Sequence, residues 1–135
     1  MQRRSLLIAI ALLVAMFASY AVWIGTHESL YTSSGTPAYW LAISRVIKDV
    51  PTSGALEPPV YYSSAGDGPK LPESAVQFRE RASAVEVGRR LEEFACVRGY
   101  QRRAEDGAYV KGTSILSWEV TPGDGFVSVT VRENE

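Results

Sequence analysis

Hydrophobic residues fall in three different rhythms along this chain, and each rhythm predicts a different element. From Leu6 to Gly25 there are twenty residues without a charge, led by Arg3 and Arg4. An all-apolar run of that length has no polar face to turn toward water, and as a helix it reaches about 30 Å, the thickness of a bilayer's hydrocarbon core. Residues 1–25 therefore read as a transmembrane helix or a signal peptide. For retention speak the length and the aromatics Tyr20 and Trp23, which suit a membrane interface. For cleavage speak the twelve-residue apolar core Leu6 to Phe17 and the small residues Ser19 and Ala21, which would place a cut after Ala21. With both basic residues before the run and none after it until Arg45, either reading keeps the N-terminus in the cytoplasm and sends the rest across.

The second rhythm is helical. After a small polar stretch, residues 26–36, read as a linker, Thr36-Pro37 makes a helix start: a hydroxyl to cap free amides and a proline where its missing N–H costs nothing. Over 37–50 the residues Tyr39, Trp40, Ile43, Val46, Ile47 and Val50 share one arc, and Ser44, Arg45, Lys48 and Asp49 the opposite one. This predicts one amphipathic helix ended at Pro51. Its stripe can pack on the domain, rest on the membrane or meet a partner, so Tyr39, Trp40, Ile43 and Ile47 are candidate partner-binding residues. Residues 51–72 hold five of the seven prolines and read as a linker, with "VYYSS" a short edge strand at most.

A second helix is predicted from Ala84 to Arg98. Ser83 to Glu86 forms a capping box, Gly99 stops the helix, and Ala84, Val87, Leu91, Phe94 and Ala95 give its buried face. Gly88 among them predicts a close approach by another backbone.

The third rhythm is alternation. "AVQFRE" is a first strand with Val76 and Phe78 on one side, and "EDG" turns a short hairpin after Gly99. "SILSWEV" and "FVSVTVRE" form a clearer hairpin, with Leu116, Trp118, Val120, Val127, Val129 and Val131 inward and Ser117, Glu119, Ser128, Thr130 and Arg132 outward. Residues 73–135 are thus expected to form a small α+β domain, one main helix packed on an antiparallel meander sheet.

Composition narrows the function classes. Net charge is −1 at pH 7, which gives no bulk attraction to nucleic acid, and none is expected as a partner. One cysteine and one histidine leave no Cys/His zinc set and no histidine-based triad in the domain, so no metal, cofactor or catalytic residue is assigned. Cys96, near a helix C-terminus, lacks the setting that activates a thiol, and a disulfide-linked homodimer is its minor possibility. Among basic residues interleaved with acids, Arg102 and Arg103 are the candidates for an acidic partner.

These features point to a membrane-tethered, non-enzymatic protein-interaction module outside the cytoplasm, an accessory part of an envelope or surface complex, held in the membrane by residues 6–25. The alternative is a secreted or periplasmic binding or inhibitor protein of immunity type, cleaved after Ala21. A carboxylate-based hydrolase comes third and requires two carboxylates about 5–9 Å apart.

Overall fold

The computed structural model describes residues 2–66 and 69–135; Met1, Asp67 and Gly68, which belong to the expected N-terminal segment and the 51–72 linker, lie outside the described residues. Helix α1 (Gln2–Thr26) is followed by β1 (Leu30–Ser33), α2 (Pro37–Ala42), α3 (Arg45–Lys48), β2 (Val60–Ser64), β3 (Glu73–Glu80), α4 (Ala84–Val97), β4 (Gln101–Arg102), β5 (Tyr109–Lys111), β6 (Ser114–Pro122) and β7 (Val127–Asn134). The fold is α+β, one main helix on an antiparallel sheet, with an apolar N-terminal helix.

The sheet has seven strands in the order β1-β2-β3-β7-β6-β5-β4, every pair antiparallel. Helix α4 carries the chain from β3 to the far edge. The meander β4 to β7 then returns to the middle and pairs β7 with β3. One face is covered by α3 over β3 and β7 and by α4 over β6. Between them lies a single core that includes Ile47, Val76, Val87, Leu91, Leu116, Val129 and Val131.

Alternation sets this arrangement. Trp118 stands opposite Val131 and Val120 opposite Val129, so the inward set of one strand meets the inward set of the other. Ser83 Oγ accepts from the Glu86 amide at 3.1 Å, and α4 ends with Arg98 as its C-cap. Beyond it Gly99 N donates to Cys96 O at 2.9 Å and Tyr100 N to Ala95 O at 3.0 Å. That pair of bonds is a Schellman motif, and Gly99 takes the left-handed φ of +83° it requires.

Four expectations need correction. Residues 26–36 are not a free linker: β1 lies inside them, and three residues, His27 to Ser29, separate it from α1. "VYYSS" is not an edge strand. As β2 it pairs with both β1 and β3, and Pro58 and Pro59 precede the paired residues, where their missing donors do no harm. Residues 37–50 form two short helices, because Ile43 and Ser44 are extended (ψ 132° and 153°) and Ser44 caps the second. Gly88 makes no close backbone approach, since a Cβ placed there meets nothing within 4 Å.

Candidate functional site

Where α1 meets the domain, a cleft of about 460 Å³ is lined by Ala21, Ile24 and Gly25 of α1, by Leu41 to Arg45, and by strand ends that include Ser63, Ser74 and Glu133. The polar centre of this region is Glu133. It follows Val127, Val129 and Val131 at the inward period of β7 and is only 2% exposed. A carboxylate so placed needs hydrogen bonds for its lone pairs. Three hydroxyls supply them: Ser44 Oγ donates to Oε2, and Tyr100 Oη (2.6 Å) and Ser114 Oγ (2.7 Å) donate to Oε1.

Each partner arrives by a local rule. Ser44 reaches Glu133 because the break between α2 and α3 turns it inward, where its Oγ also accepts from the Ile47 amide and its own N–H donates to Ser74 Oγ. Tyr100 is the residue directly after the Gly99 cap, so the Schellman turn drops its ring beneath α4. Burial first, and then the hydrogen bond to the Glu133 carboxylate, together push the Tyr100 phenol up to about 12. Four hydroxyls and a carboxylate of this kind join α3, β3, the end of α4, β6 and β7.

A second buried carboxylate lies elsewhere. Glu80, 1% exposed, ends the inward row of β3 and receives both of its hydrogen bonds from Arg90 Nη2 at 2.6 and 2.7 Å. It stands opposite Val127, whereas Glu133 stands opposite Ser74. Six residues of strand therefore separate them, roughly 20 Å at about 3.3 Å per residue. They are not the close pair that carboxylate hydrolysis needs. Neither was singled out in the sequence, although the signal existed: Glu80 continues the period of Val76 and Phe78, and Glu133 that of the β7 valines.

The residues assigned to a partner separate into two groups. Tyr39 (8% exposed), Ile43 (3%) and Ile47 (0%) belong to the core, with Tyr39 edge-on to Tyr61 at 4.7 Å, so no partner reaches them on the folded chain. Their arc packs inward because the break at Ile43 lets both short helices turn the same side to the sheet. Trp40, by contrast, is 65% exposed. Arg102 and Arg103 are exposed at the β4 edge, and Arg103 holds Asp106 through its side chain. That bond, with the Ala108 amide, lowers the Asp106 carboxyl to about 2.

Tyr20 and Trp23 stack at 6.0 Å on α1, and His27 lies 4.5 Å from the Trp23 ring. Cys96 is exposed on α4. Among the described residues no group of three or more His, Cys, Asp or Glu side chains is placed to hold a metal ion.

The outer face of the sheet carries a different surface. Tyr31 of β1 and Tyr62 of β2 are cross-strand partners with rings 5.1 Å apart, and with Glu73, Ala75, Gln77 and Arg132 they line a groove of about 310 Å³. No family model matches the chain, and no curated protein or solved structure matches it.

Proposed function

We propose that the protein is a membrane-tethered, non-enzymatic interaction module whose α+β domain lies outside the cytoplasm and binds another protein. One observation carries the reading. Ser5–Thr26 is long and apolar enough to cross a membrane, and among those residues only Ile24 is buried by the rest of the chain. A helix apolar on every side that its own domain covers only at Ile24 calls for lipid. The partner surface is the open sheet face around Tyr31, 67% exposed, with Tyr62 and Arg132. Tyrosine and arginine are the side chains that concentrate binding energy at protein interfaces.

Two measurements test this. N-terminal sequencing and carbonate extraction of the expressed chain should find the intact N-terminus in the membrane pellet. A photo-crosslinking residue in place of Tyr31 should then give a discrete adduct that the same residue in place of Val85 does not. Finding neither a membrane-bound intact chain nor an adduct removes the proposal.

The second reading, a free exported binding protein of inhibitor type, draws on Ile24. Its burial against the domain makes the last turn of α1 part of the folded unit, so a cut after Ala21 would leave that turn seated. A soluble product beginning at Val22 selects this reading.

A further inference from the structure

Helix α2 turns two sides in opposite directions. Ala38 and Tyr39 are buried beneath it, while Pro37, Trp40 and Leu41, at i, i+3 and i+4, are exposed on one face. Trp40 is 65% and Leu41 49% exposed. This apolar face belongs to the same structural neighbourhood as the end of α1, since Leu41 lines the junction cleft with Ala21, Ile24 and Gly25.

That placement fixes its height. The 22 residues Ser5–Thr26 rise about 33 Å at 1.5 Å each, slightly more than the hydrocarbon core of a bilayer. Ala21 to Gly25 then fall at the boundary between hydrocarbon and headgroups, the level at which Tyr20 and Trp23 are favoured. A segment packed beside Ala21 and Gly25 is at that level too. The three-residue link from α1 to β1 is too short to lift the domain away.

We propose that the Pro37, Trp40 and Leu41 face of α2 lies in the headgroup region of the bilayer that α1 spans, and that this second lipid contact fixes how the domain stands on the membrane. The inference rests on the spanning reading of α1. The chemistry of the face is that of an interfacial segment: an indole and a leucine on the lipid side and a cation at the rim. Lys48 Nζ donates to the Trp40 carbonyl at 2.9 Å and lies 5.7 Å from its ring centroid, within reach of lipid phosphates. Lipid is the occupant because the face is continuous with the helix that enters the bilayer.

The full chain, with Trp23 and Trp118 replaced by phenylalanine so that Trp40 is the sole tryptophan, is reconstituted into phosphatidylcholine and phosphatidylglycerol vesicles. Brominated phosphatidylcholine should quench Trp40 strongly, and aqueous iodide only weakly. In case those two substitutions disturb folding, Leu41→Cys in a Cys96→Ser background, labelled with an environment-sensitive fluorophore, should give several-fold brighter emission than Val85→Cys labelled likewise. Chain that floats with the vesicles while both probes report water leaves the anchor standing and overturns the docking. So does a Trp40 shielded from iodide yet untouched by bromolipid, which marks a protein neighbour. Chain that fails to float overturns the anchor and the docking together.

Discussion

Glu133 owes its place to parity. It is the fourth member of an inward row that begins with Val127, and reversing its direction would slip the whole strand by one residue and turn three valines to water. The fold therefore satisfies the carboxylate instead of expelling it. The Tyr100 phenol is one of the groups that does so, and its elevation to about 12 from 10.0 has a consequence for alkaline stability. Above the unfolded value the unfolded chain releases this proton while the native chain keeps it, so unfolding is favoured by rising pH. Stability should be complete below pH 10.0 and fall as pH climbs toward about 12. Tyr61, raised to about 12 by burial and by Tyr39 beside it, acts in the same sense. Urea unfolding of the detergent-solubilised chain across that range should show the decline, and Tyr100→Phe should make it shallower; an equal slope in both proteins would show that Tyr100 keeps no proton by folding.

Two glycines of α4 and its cap respond oppositely to alanine. At Gly88 the space is open, so Gly88→Ala should stabilise by about 0.5–1 kcal/mol through helix propensity alone. At Gly99 the left-handed φ of +83° makes alanine cost roughly 1–2 kcal/mol. Denaturant midpoints of the two variants should move in opposite directions, and a loss at Gly88 would mean that the site is crowded after all.

At the scale of elements, the instructive case is the segment 37–50. Its periodicity puts Ile43, Ile47 and Val50 on one arc, without saying whether domain, membrane or partner covers it, and the core takes that arc up; but a single helix would leave Ser44 on the wet side. Breaking the helix costs backbone hydrogen bonds, and it is offset by what Ser44 then does: it caps α3 and donates to Glu133. Ser44→Ala removes both roles and should destabilise by about 2 kcal/mol, near the upper range for a cap. Thermal unfolding reads that loss; a change no larger than that of an exposed serine would mean that the break is set by the Thr36 and Pro37 start alone. The elements with strong periodic signals, α4, β6 and β7, were legible because their partners are near in sequence and their patterns are long. Strand β1 was not, and β2 was read as an edge strand at most, since "LYTS" and "VYYSS" show no clean alternation and their places in the sheet come from pairing with each other and with β3. The candidate site was legible only at Glu133, which continues the period of the β7 valines; the sequence pattern puts Ser44 on the polar arc, and nothing local announces the meeting of Ser44, Tyr100, Ser114 and Glu133, which are separated by up to 89 positions in the chain.

For the whole molecule, the two edges of the sheet differ. Strand β4 is two residues long beside the charged pair Arg103 and Asp106, a short edge unsuited to further pairing. Strand β1 follows α1 after three residues, so its edge lies close to the bilayer if α1 spans it. The proposed topology also has a direct reporter in Cys96, the sole cysteine, which is exposed on α4. A membrane-impermeant maleimide should label it in intact spheroplasts as completely as in lysed ones. Labelling only after lysis would place the domain in the cytoplasm and remove the extracytoplasmic reading. A dimer band on non-reducing gels that vanishes in Cys96→Ser would establish the disulfide-linked pair.

The sequence alone determined what depends on neighbours in the chain: an apolar helix that its own domain cannot cover, a capped and terminated α4, and a hairpin with one wet face. Local spacing and local capping suffice for these. The tertiary structure decided what depends on distant residues meeting, namely that two supposed linkers carry strands of one sheet, that the 37–50 stripe is interrupted at Ile43 and Ser44 where Ser44 meets a buried carboxylate, and that Trp40 and Leu41 remain outside while Tyr39, Ile43 and Ile47 go in. Periodicity says which residues seek burial, whereas only the shape of the finished core says which of them fit.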